Sequence, residues 1–106
     1  MNSRRSDSLQ RIQTEIAGEK AATLGRAGER LEAALFEVAG WAQRIREAAD
    51  ADDRAALAPA YEQARRRALD ARLTLLIQRE AMGLRRHAVV DQQFPEPPPF
   101  RRLLAR

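Results

Sequence analysis

The chain has 106 residues and a formal net charge of +4, with one histidine and no cysteine. That length suits one domain, and the missing cysteine excludes disulfides, thiolate metal sites and cysteine nucleophiles. Hydrophobic residues make up 44%, but 21 of them are alanine and only three Phe, one Trp and one Tyr stand beside them. Such a core is thin and suits helices packed through alanine seams.

Residues 1–7 are polar and read as a frayed terminus, without the apolar run of a secretory signal. Ser6 or Ser8 caps a first helix over 8–50, opened by Leu9, Ile12 and Ile16 at 3–4 spacing. From Leu24 the stripe is heptadic. Leu24, Leu31, Val38 and Ile45 fall seven apart, and Ala27, Ala34, Trp41 and Ala48 follow each by three. Gly28, Leu35, Ala42 and Ala49 follow by four. Gly25 and Gly28 lie inside this helix, where each costs roughly 0.5–1 kcal/mol relative to alanine. Gly28 belongs to the core-facing set, so we expect it to mark a close approach of the second helix, which Gly28→Leu overpacks. Gly18 and Gly40 are the positions for a bend.

Ala51-Asp52-Asp53 is the break between the long segments, and an aspartate there caps the next helix. The second helix is expected over 53–87. Pro59 either starts its continuous part near Ala58 or kinks a first turn from Asp53. Leu57, Tyr61, Ala64, Ala68, Ala71, Leu75, Gln78 and Met82 form its core stripe. A second stripe of Leu69, Leu73, Leu76 and Leu84, with Ile77 beside it, lies about 100° round the helix. A two-helix hairpin buries one face of each helix, so this second stripe needs a cover, as does Phe36 on the back of helix 1. Phe36, Leu69, Leu73, Leu76, Ile77 and Leu84 are therefore the candidate partner interface, and homodimerisation into a four-helix arrangement is one way to cover it.

Leu84 to Gln93 either extends the second helix or forms a separate turn. Residues 94–99, Phe94-Pro95-Glu96-Pro97-Pro98-Pro99, form an extended or polyproline-like segment. A short helix over 99–105 follows, with Leu103 and Leu104 folding back. The expected fold class is all-α: a long antiparallel helical hairpin with a short C-terminal helix, dimerising into a bundle.

Glu19-Lys20-Ala21, Leu24-Gly25-Arg26-Ala27-Gly28, Leu31-Glu32 and Ala34-Leu35, together with Gln78-Arg79-Glu80, Gly83-Leu84-Arg85 and His87, make a pair of blocks. The pair resembles a small bacterial family catalogued as a domain of unknown function, over about residues 15–90. The resemblance implies an all-helical bundle and no activity. The family's Gly-Ile-Pro ending is replaced here by Phe94-Pro95-Glu96 and the proline run.

Gln78, Arg79, Glu80 and His87 form the candidate polar cluster. Gln78 sits in the core stripe, where a polar group fixes register. Arg79 and Glu80 are placed to pair with Glu19 or Lys20 of helix 1, and Glu80 and His87 share a helical face. A lone histidine makes no zinc site, and no nucleophile constellation or phosphate loop is present, so no enzyme, cofactor or metal is expected. Residues 1–53 hold 8 basic and 10 acidic side chains, residues 54–106 hold 11 and 5, a division that suits two complementary helices. The reading is a cytoplasmic protein-interaction or scaffold module, a homo-oligomer with room for another protein partner and no membrane role. The alternative is an Arg-mediated nucleic-acid-binding or regulatory protein using Arg65-Arg66-Arg67, Arg85-Arg86 and Arg101-Arg102.

Overall fold

Two helices of unequal length, α1 (Asn2–Glu47) and α2 (Ala51–Ala81), lie antiparallel and set the shape of the molecule. The computed structural model describes residues 2–105, in which two short helices follow, α3 (Ala88–Gln93) and α4 (Phe100–Leu103), and no strand occurs among the described residues. The body measures 77 × 20 × 15 Å. Its length is that of α1, whose 46 residues span about 69 Å at 1.5 Å per residue. Helix α1 reaches back to Asn2 and includes Ser6 and Ser8, so neither serine caps it; of the expected frayed terminus, Met1 lies outside the described residues. The helix also continues through Gly18 and Gly40.

The turn between the helices is tight because aspartate chemistry closes it. Asp50 is extended (φ −146°, ψ 178°) and its carboxylate accepts from the Asp53 N–H at 2.8 Å, satisfying an orphan donor of the first turn. Asp52 and Asp53 add negative charge where the helix dipole is positive. Pro59 sits inside continuous α2, neither starting it nor interrupting it. Its missing N–H leaves the Ala55 carbonyl without the usual donor, and both residues are exposed, where solvent serves instead.

The seam follows the heptads. Val38, Ala42 and Ile45 of α1 close on Tyr61, Ala64 and Ala68 of α2 near the turn, and Ala27 and Leu31 close on Leu75 farther along. Leu35 packs against both clusters. Small residues opposite large ones keep the helices close, and a cross-seam Arg67–Glu37 pair at 2.6 Å sits at the rim. The expectation for Gly28 fails, however. A Cβ built at Gly25 or at Gly28 meets nothing within 4 Å. Gly28 is half-buried at the edge of the seam, where the bulk of Leu31 and Leu75, and not a bare glycine surface, makes the buried contact.

Helix α2 stops at Ala81, short of the expected residue 87, because Gly83 turns left-handed (φ 83°). The Gly83 N–H bonds the Glu80 carbonyl and the Leu84 N–H bonds the Arg79 carbonyl, both at 2.9 Å. This is a Schellman ending, and only glycine adopts that φ without strain. The chain then reverses. Segment 88–103 runs back along α2 as a strap over one flank of the hairpin, so Leu84–Gln93 is neither an extension of α2 nor only a turn.

Hydrogen-bond inventory explains why prolines suit the strap. Four prolines between 95 and 99 leave carbonyls and almost no N–H donors, while α2 presents donors to them. The Tyr61 hydroxyl donates to the Pro98 carbonyl at 2.5 Å and the Arg65 Nε–H to the Pro97 carbonyl at 2.9 Å. Arg72 donates to the Phe94 carbonyl and pairs with Asp91 and Glu96. At the far end Glu62 accepts from the Phe100 N–H at 2.6 Å. Val90 is buried against Leu31 and Leu75, and Phe100 and Leu103 pack on the cluster around Tyr61.

Candidate functional site

The strap answers part of the question raised by the second apolar stripe. Leu76 packs into the cluster with Val90 and Phe94, and Leu69 is half-buried. Leu73 (57%), Ile77 (55%) and Leu84 (41%) stay exposed, and Phe36 is 82% exposed on the back of α1. The six candidate interface residues thus do not form one face. Leu73 and Ile77 make a two-residue patch, and Phe36 stands beside Glu29, Glu32 and Ala33.

The polar cluster is assembled, but not as expected. Arg79 turns away from α1 and donates to the Arg86 carbonyl at 2.8 Å, bracing the loop after α2. Glu80 meets His87 at 3.1 Å between its Oε1 and the ring Nε2, while Glu19 and Lys20 stay exposed with no part in it. Gln78 is half-buried and fixes no register through a hydrogen bond among the described residues. The other His87 nitrogen, Nδ1, is buried without a partner, as is Arg79 Nε. The contact with the carboxylate is a hydrogen bond when Nε2 carries a proton, and Nδ1 is left unmatched. No group of three or more metal-ligating side chains exists among the described residues.

Burial raises the pKa of Tyr61 above its ordinary value near 10, with Glu62 acting in the same direction and Arg65 and Arg46 opposing. Its ring helps line a cleft of about 240 Å³ under the strap, with Leu35, Val38, Pro97, Pro98 and Leu103. That cleft is the unfilled margin of the strap's own seat.

The largest unpartnered feature lies elsewhere. Helix α2 has 31 residues against the 46 of α1. Every residue from 3 to 22 is exposed, and α1 first becomes buried at Ala27. On this projecting arm Leu9, Ile12 and Ile16 are 60%, 52% and 46% exposed. Arg4 and Arg5 border the same groove as Leu9 and Ile12. By spacing alone these three residues open the apolar stripe of the first helix that becomes heptadic from Leu24. Two signals pointed otherwise: the unequal lengths of the expected helices, and a stripe set one heptad position away from that of Leu24 and Leu31.

No helix of the described residues is long and apolar enough to cross a membrane. Comparison with protein-family models, with curated proteins and with solved structures found no match.

Proposed function

We propose that the chain is a helical protein-interaction module: a hairpin stiffened by its strap, which presents the arm of α1 to another helix. The observation that carries this reading is the exposed Leu9, Ile12 and Ile16 stripe on a segment with no neighbour of its own. The arm continues an already nucleated helix but gains no tertiary packing of its own, and three large side chains at 3–4 spacing gain most by packing on a second helix. The nucleic-acid alternative has less support. Arg65, Arg67, Arg72 and Arg79 are engaged within the molecule, and no Phe, Tyr or Trp stands beside Arg66, Arg85 or Arg86 in the sequence.

The test is differential capture with two baits, wild type and Ile12→Arg. The reading expects polypeptides, other copies of this chain included, that are held by wild type and lost from the variant. Identical recovery on both baits, or steeply salt-dependent binding to random duplex DNA as the only association, rejects it.

A further inference from the structure

We propose that the arm's partner is the arm of a second copy, laid antiparallel to it, so that two chains join end to end. This rests on the arm being a docking surface and adds the occupant. Geometry supports it first. Leu9, Ile12 and Ile16 lie about 40°, 100° and 60° round the helix from Leu31, all turned to one edge of the side that α2 covers farther along. A helix on this stripe lies beside the extended line of α2, and its end comes up to the Gly83 turn where α2 stops. The arm of another copy offers the same 20 exposed residues, about 30 Å, beyond the end of its own α2. Antiparallel, its hairpin leaves in the opposite direction; parallel, the two hairpins compete for the same side.

Charge supports the same direction. Arg4, Arg5 and Arg11 outweigh Asp7 in the first half of the arm, and Glu15 and Glu19 outweigh Lys20 in the second. Antiparallel pairing sets the basic half against the acidic half; parallel pairing sets each against itself. With Leu9 of one copy on Ile12 of the other, Ile16 lies against Arg5, whose guanidinium then reaches Glu15 or Glu19 of the other copy. The rival patches lack this complementarity: Leu73 and Ile77 are only two, and Phe36 stands beside acidic Glu29 and Glu32. A contact roughly 30 Å by 10 Å is smaller than a standard interface, so the dimer is reversible and concentration-dependent.

Sedimentation and small-angle scattering over a concentration series test this. The mass is expected to rise from 11.9 kDa toward twice that, and the longest dimension from 77 Å to roughly 120 Å. Ile12→Arg weakens association at least tenfold without lowering the hairpin's melting temperature, because residues 3–22 pack on nothing. With no native cysteine, oxidising a mixture of Arg5→Cys and Ile16→Cys chains gives a crosslinked heterodimer, while neither variant alone crosslinks. A dimer no longer than one chain, or crosslinking of Arg5→Cys with itself, overturns the proposal. A chain that stays monomeric yet holds another polypeptide through Ile12 overturns the dimer and leaves the interaction module standing; a monomer with no arm-dependent partner removes both.

Discussion

Replacing Arg72 with alanine unfastens the strap while leaving the hairpin folded. The Arg72 side chain is 12% exposed and holds three groups of the strap: the Phe94 carbonyl, Asp91 and Glu96. The two carboxylates are 65% and 61% exposed, so each ion pair belongs to the surface range of about 0.2–1 kcal/mol. The long 3.4 Å bond to the carbonyl adds no more than about 1 kcal/mol. Loss of packing along the guanidinium stem brings the expected cost to about 2 kcal/mol. Because the strap touches the hairpin along one flank only, that cost appears as local opening. Amide exchange over residues 88–103 is expected to accelerate roughly 30-fold, the equivalent of 2 kcal/mol, while the central α1–α2 seam keeps its protection. Trp41, the only tryptophan, packs on the same cluster as Phe100 and Leu103, so its emission shifts as the strap leaves. Unchanged exchange in the strap, or an equal loss throughout α1 and α2, refutes the idea of a separately fastened third element.

Three further outcomes follow from the geometry. Gly25→Ala and Gly28→Ala are each expected to stabilise by roughly 0.5–1 kcal/mol in chemical denaturation, since an added Cβ meets nothing at either position. Gly83→Ala, at φ 83°, destabilises by roughly 1 kcal/mol in the same assay. For Tyr61 the folded pKa lies above the unfolded value near 10, because burial opposes the phenolate. Its contribution is therefore complete below pH 10 and is lost as pH rises through the folded value, where the hydroxyl also ceases to donate to Pro98. Alkaline melts of wild type should fall more steeply above pH 10 than those of Tyr61→Phe; parallel curves contradict this.

Much of the hairpin was legible in the sequence, because heptad spacing reports directly on a buried stripe. Leu31, Val38, Ile45, Tyr61, Ala64 and Ala68 are buried where that spacing puts them. The aspartate cap was legible for the same local reason, shifted from Ala51-Asp52-Asp53 to Asp50. What the pattern missed depends on distance through space. Gly28 shares the register of the core, but register does not say which residues of a stripe make the buried contact. The strap depends on Arg65 and Arg72, which look like solvated charges until the proline carbonyls arrive beside them. The polar cluster combined correct proximity with a wrong partner: Glu80 and His87 do meet, across a turn rather than along one helix. The arm was hidden because an apolar residue at 3–4 spacing reads the same whether or not its neighbour exists.

The strap also follows the hairpin in chain order, and its hydrogen bonds and ion pairs with α2 span 19 to 38 residues. Whenever the strap leaves, the flank around Leu31, Leu75 and Leu76 lies bare and the hairpin displays an open apolar groove to its neighbours. The proline-rich segment is suited to closing it, since a chain already stiff in the extended form has less entropy to lose on docking than a flexible one.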